Sequence, residues 1–152
     1  MQETGFLGTA APQAADITLL LEMGMGIGLL VGAWLARVGR IRLHATCQSV
    51  IVILNLSLIV FAMFPAFHHQ VLPKLPGRIG RPYYALAVTH AAFGGVAEVG
   101  GLYILLAVGT RFLPERIRIT RFKFWMRSLL LLWWIVLFLG MTTYARWYIT
   151  LR

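Results

Sequence analysis

The side chains in this sequence that can bind or transfer something lie in or beside long apolar runs. They are His44, His68, His69 and His90, the carboxyls of Glu22 and Glu98, and the amide of Asn55. Imidazole is the commonest protein ligand for haem and copper, and it exchanges a proton near neutral pH. His44 opens one apolar run, His68 and His69 close the same run, and His90 lies about seven residues into the next. At 1.5 Å per helical residue, His90 is roughly 10 Å below its edge and on the order of 20 Å from His44 along the membrane normal. His44 and His90 therefore cannot share a metal ion, whereas His90 can combine with His68 or His69. Haem or copper is the cofactor chemistry such a cluster would serve; the plainer alternative is histidines satisfied within helix packing. Glu22, about five residues into the first run, reaches nearly the depth of His90, and an intramembrane Glu–His pair is a candidate functional site. Alternatively, Glu22 is close enough to the interface to reach water.

Glu98 and Asn55 lie near the middle of their runs. A carboxylate there is costly to ionise, so Glu98 is expected to be neutral or hydrogen-bonded, with Asn55 its nearest candidate partner. That pair either fixes helix register or supplies a proton-relay or quinone-site carboxyl. On the second run His44, Gln48, Asn55 and Ala62 fall within about 40° of one another, and His69 continues the line if the helix persists past Pro65. On the third, Ala87, His90, Gly94, Ala97 or Glu98, and Gly101 make a small, polar stripe. His90 is expected to point into the bundle or a subunit interface, toward a side chain of the first or second run or a bound metal.

These groups need elements that hold them in lipid. Of 152 residues, 59% are hydrophobic and 12% charged, with a mean hydropathy of +0.77. A soluble domain carries roughly 25% charged residues, so the chain has about half the usual supply for a wetted surface. One cysteine, Cys47, excludes a disulfide-stapled module, and the basic residues behind the net charge of +9 sit between apolar runs, against a nucleic-acid binder. Four runs, at about 17–36, 45–67, 83–109 and 124–145, are long enough to cross a hydrocarbon core as helices. The expectation is an all-α integral membrane four-helix bundle over 17–149, preceded by a flexible lead, 1–16, with no feature of a cleaved signal.

The two loops after the first and third runs, with Lys123, hold eight Lys and Arg against five on the opposite side. The bias puts those loops in the cytoplasm and both termini outside; the expected location is a bacterial inner membrane. Gly24, Gly28 and Gly32 recur every fourth residue, which allows a neighbouring helix to approach closely, as do Gly94 and Gly101. By that reading Gly28 faces a helix, and Gly28→Leu should disrupt assembly far more than Leu29→Ala. Trp133 and Trp134 lie deep and are expected to face lipid or a partner subunit. No phosphate-binding loop, dinucleotide fingerprint, zinc-protease helix or covalent haem motif is present.

Gly39-Arg40-Ile41-Arg42-Leu43-His44 open the second run, Arg81-Pro82-Tyr83-Tyr84 precede His90, and Gly140-Met141-Thr142-Thr143-Tyr144 close the fourth. In that order, across most of residues 17–148, these motifs resemble the YozB-like four-helix membrane proteins, a domain of unknown function that includes CtaM-type oxidase-maturation proteins. The resemblance implies histidines at His44 and His90, one ending the second span and one before the fourth. His68 or His69 supplies the third, but Arg121-Phe122-Lys123-Phe124 has no histidine for the fourth. With half of an inner-edge pair lost, the resemblance implies a non-catalytic accessory subunit or maturation factor of a respiratory electron-transfer complex, its partners lipid and other membrane subunits. The alternative is a haem- or copper-binding membrane redox protein.

Overall fold

The computed structural model describes residues 5–109 and 121–149. Four helices in it are long and apolar enough to cross a membrane. Helix α1 (Gln13–Arg37) starts behind Pro12, whose extended backbone sets the entry to the first turn. It stops at Gly39, which reverses the chain with φ +79°, a conformation open to glycine at no steric cost. Helix α2 (Ile41–Leu58) then returns toward the end where α1 began.

Pro65 does not end this helix. Its ring collides with the carbonyl one turn back and it has no N–H to donate. The chain answers with a π-helical turn, Ile59–Met63, directly upstream, and continues as α3 (Phe64–Gln70). The wider turn shifts the helical phase, so the expected alignment of His69 with Asn55 is lost. Both His68 and His69 are exposed, packed edge-to-face on each other with centroids 5.1 Å apart. A short 3-10 turn and α4 (Leu75–Arg78) lead to α5 (Pro82–Gly109), which begins on proline, where a missing N–H costs nothing. Helix α6 (Phe122–Tyr148) closes the bundle.

The four long elements form a ring: α1 packs on α2 and α6, and α5 packs on α6 and α2. One core cluster, Met25, Leu29 and Ile51 with Cys47 and Trp133 against it, lies between α1, α2 and α6. A second, Val71, Tyr84 and Ala87, closes the end near Pro12. Leu29 is only 6% exposed, so it is core, and Leu29→Ala is not the mild comparison for Gly28→Leu that the sequence suggests.

The lead is folded from Gly5 onward, against the expectation of a flexible segment up to residue 16. Asp16 is 0% exposed; it accepts from the Leu7 amide at 2.9 Å and from the Tyr144 hydroxyl at 2.5 Å. Thr9 donates to Tyr144 at 2.8 Å, and the Ala10 amide donates to the Tyr148 carbonyl. The sequence contains the reason: a carboxylate in the first turn of a membrane helix must be satisfied, and the preceding Gly- and Ala-rich segment is compact enough to fold back onto it. The tryptophans also differ from expectation. Trp133 donates to the Ala97 carbonyl at 3.3 Å, and Trp134 lies over Gly26, where even a Cβ would come within 3.7 Å of the ring. Both rings face the bundle because Ala97 and Gly26 leave room for them.

Candidate functional site

Two cavities flank the middle layer of the bundle. The first, about 590 Å³, opens near Pro12 between α1, α5, α6 and the π-helical turn. Its walls are mostly apolar, and its polar side chains include Glu22, Asn55, His90 and Tyr144. Glu22 arrives from α1, His90 from the small-residue stripe of α5, and α6 runs behind both. They meet at Gly140: a Cβ there would lie 2.9 Å from Glu22 Oε2 and 2.9 Å from His90 Cε1. The two side chains are therefore separated by at most twice that distance. Gly140 is the only glycine in α6, and its missing side chain is the space they share.

His90 Nδ1 donates to the Val136 carbonyl at 3.1 Å. A carbonyl only accepts, so Nδ1 carries a proton, and in the neutral form of the ring the lone pair is on Nε2. The partner expected from the first or second run is thus backbone of the fourth, with Glu22 alongside. A carbonyl one helical turn before Gly140 is reachable because nothing projects from residue 140.

Asn55 and Glu98 form the layer beneath. Asn55 Nδ2 donates to Glu98 Oε2 at 2.8 Å. Glu98 is 4% exposed, and its Oε1 is the one buried side-chain oxygen or nitrogen without a hydrogen bond among the described residues.

The second cavity, about 520 Å³, opens near Gly39. His44 lies on its wall and donates from Nδ1 to the Gly32 carbonyl at 2.8 Å. Gln48 covers Gly32, Ile51 Cδ1 lies 2.9 Å from where a Gly28 Cβ would be, and Cys47 Sγ donates to the Gly28 carbonyl at 3.4 Å. Gly24 differs from its two successors: nothing lies within 4 Å of a Cβ there, and it is exposed. Helix α2 has diverged from α1 by that level. On α5, a Cβ at Gly101 would lie 3.1 Å from Val52, while one at Gly94 would make an ordinary 3.6 Å contact with Val136.

The structure brings together Glu22 with His90 and Asn55 with Glu98, and it leaves His68 and His69 exposed and outside the lining of the cavity that His90 enters. No group of three or more His, Cys, Asp or Glu side chains placed to hold a metal ion occurs among the described residues. The Val136 carbonyl and Arg127 belong to these sites without standing out in the sequence, and Gly140, quoted there only as part of a motif, belongs to them as the space between Glu22 and His90. The lone glycine of the fourth span and the four-residue spacing of Lys123 and Arg127 are the signals that could have found them. No protein-family model, curated protein or solved structure gives a significant match to the chain, so the reading of these sites rests on their own geometry.

Proposed function

We propose that the protein is a small accessory subunit or maturation factor of a membrane electron-transfer complex, non-catalytic by itself, in a bacterial inner membrane. The observation that carries this reading is the convergence of Glu22 and His90 on Gly140 in the wall of an apolar cavity. One imidazole nitrogen is pinned by Val136, which leaves the lone pair of the other to accept. Such a site can grip a polar group of a membrane-borne molecule or of a neighbouring subunit's helix. It offers no nucleophile paired with a base, which suits holding and positioning rather than turnover. The resemblance to YozB-like proteins points the same way.

Purification of the tagged chain from native membranes in mild detergent tests this. Electron-transfer subunits should accompany the wild type, and His90→Phe or Gly140→Leu should lower their recovery about tenfold, equivalent to about 1.4 kcal/mol. Ile27→Ala, on an exposed position of α1, should leave recovery unchanged. Equal recovery with His90→Phe in a chain of normal helicity would remove the site from the function.

The Nε2 position also supports a second reading, a haem protein in which His90 would hold the iron. A Soret band in the purified protein that is lost in His90→Phe would establish it. Copper fits the described residues poorly, because only one imidazole and one carboxyl converge there.

The proposed orientation puts both termini outside. In a Cys47→Ser background, a cysteine at exposed Arg78 should react with an impermeant maleimide from the periplasmic side, and one at exposed Arg40 should not. The reverse pattern would invert the orientation. Arg118, in the other cytoplasmic loop of this orientation, lies outside the described residues.

A further inference from the structure

The cavity near Gly39 has a chemistry unlike that of the Glu22–His90 site. Arg37 from the end of α1 and Lys123 and Arg127 from the first turns of α6 line it. The described residues hold three carboxyls, Asp16, Glu22 and Glu98, and none of them lines this cavity. Three cations on two helices that cross-pack therefore face one concavity with no acidic side chain among the described residues of its lining. Nearby, His44 has spent Nδ1 on the Gly32 carbonyl, and the Gln48 amide adds a neutral donor on the same wall.

Below the mouth the lining turns apolar, with Leu29, Val52, Ile104, Leu105 and Leu130. A cationic rim above an aliphatic wall matches a molecule with an anionic head and a hydrocarbon tail. Arginine presents paired N–H donors that fit phosphate oxygens, and lysine adds a point charge. The rim sits where a helix end meets the membrane surface, the depth of lipid phosphates, and basic pockets between membrane helices recognise such headgroups. We propose that this cavity is a binding site for one anionic phospholipid, its phosphate held by Arg37, Lys123 and Arg127 and an acyl chain lying on the aliphatic wall.

The test uses the full chain reconstituted in equimolar phosphatidylcholine and phosphatidylglycerol, released into mild detergent, with retained lipid counted by native mass spectrometry. The wild type should retain phosphatidylglycerol in preference to phosphatidylcholine. Arg37→Gln/Arg127→Gln should lower that retention at least about tenfold, as removal of two cations facing an anionic group requires. Arg37→Lys/Arg127→Lys should keep most of it, which separates lost charge from lost folding. Arg40→Gln/Arg42→Gln, at the same end but outside the lining, should behave as wild type. Leu105→Trp should exclude the lipid with every cation in place. Equal retention of the two lipids by the wild type would overturn the proposal, as would unchanged phosphatidylglycerol in the double Gln variant. Displacement of the lipid by millimolar inorganic phosphate would overturn it in favour of a free-anion site.

Discussion

Gly28→Leu should prevent the bundle from assembling, while Gly24→Leu, one turn earlier on the same helix, should fold as wild type. The Cβ alone at position 28 would come within 2.9 Å of Ile51 Cδ1. Ile51 cannot swing aside, being 5% exposed and enclosed by Met25 and Leu29. A leucine there must push α2 away from α1, which also parts the Cys47–Gly28 and His44–Gly32 hydrogen bonds. Overpacking in a tight core costs about 1–3 kcal/mol and occasionally more, and here two hydrogen bonds are lost with it. At Gly24 a side chain enters open space. Leu29→Ala is no neutral control, because excavating a buried leucine costs about 2–5 kcal/mol. Tryptophan fluorescence during unfolding in denaturing detergent measures the difference, since Trp133 packs on this cluster. Equal damage from Gly24→Leu in the isolated chain would show that the α1–α2 contact extends further than the geometry places it.

The contrast between these glycines marks what a sequence can reveal. A small residue every fourth position announces a face on which helices can approach, because the period belongs to the helix itself. The angle at which the partner crosses that face is not announced, since it depends on where all four helices settle. The spans are legible for the same reason, as apolar length is a local property. Pro65 marks a possible end of the second helix in sequence, but a π-helical turn absorbs it and carries His68 and His69 out of line. Asn55 and Glu98 can be paired from stripe and depth alone. His90 can be placed on an inward face, but not its acceptor, because the Val136 carbonyl is backbone and leaves no side-chain signature. The open space at Gly140 is equally silent until Glu22 and His90 are seen to share it. The lead escapes a compositional reading because Gly and Ala suggest freedom, whereas the buried Asp16 supplies an anchor that composition does not weigh.

Removing the amide of Asn55 should be more damaging than removing Asn55 and the carboxyl of Glu98 together. Glu98 already has one oxygen without a partner, and Asn55 provides the bond to the other. In Asn55→Leu the whole carboxyl is stranded in a buried layer, a loss of about 1–3 kcal/mol. In Asn55→Leu/Glu98→Leu neither group remains to be satisfied, and replacing both partners by apolar side chains is nearly neutral. The double variant should therefore recover most of the stability lost by the single one. The same pair of variants separates the two roles weighed for this carboxyl. If Glu98 only fixes helix register, the double variant should regain both stability and recovery of the proposed electron-transfer partners. If Glu98 serves as a working carboxyl, stability returns and partner recovery or electron transfer does not, because Leu cannot hold a proton. A double variant less stable than Asn55→Leu would sink the pairing itself, since it would mean that Glu98 stabilises the bundle through contacts other than Asn55.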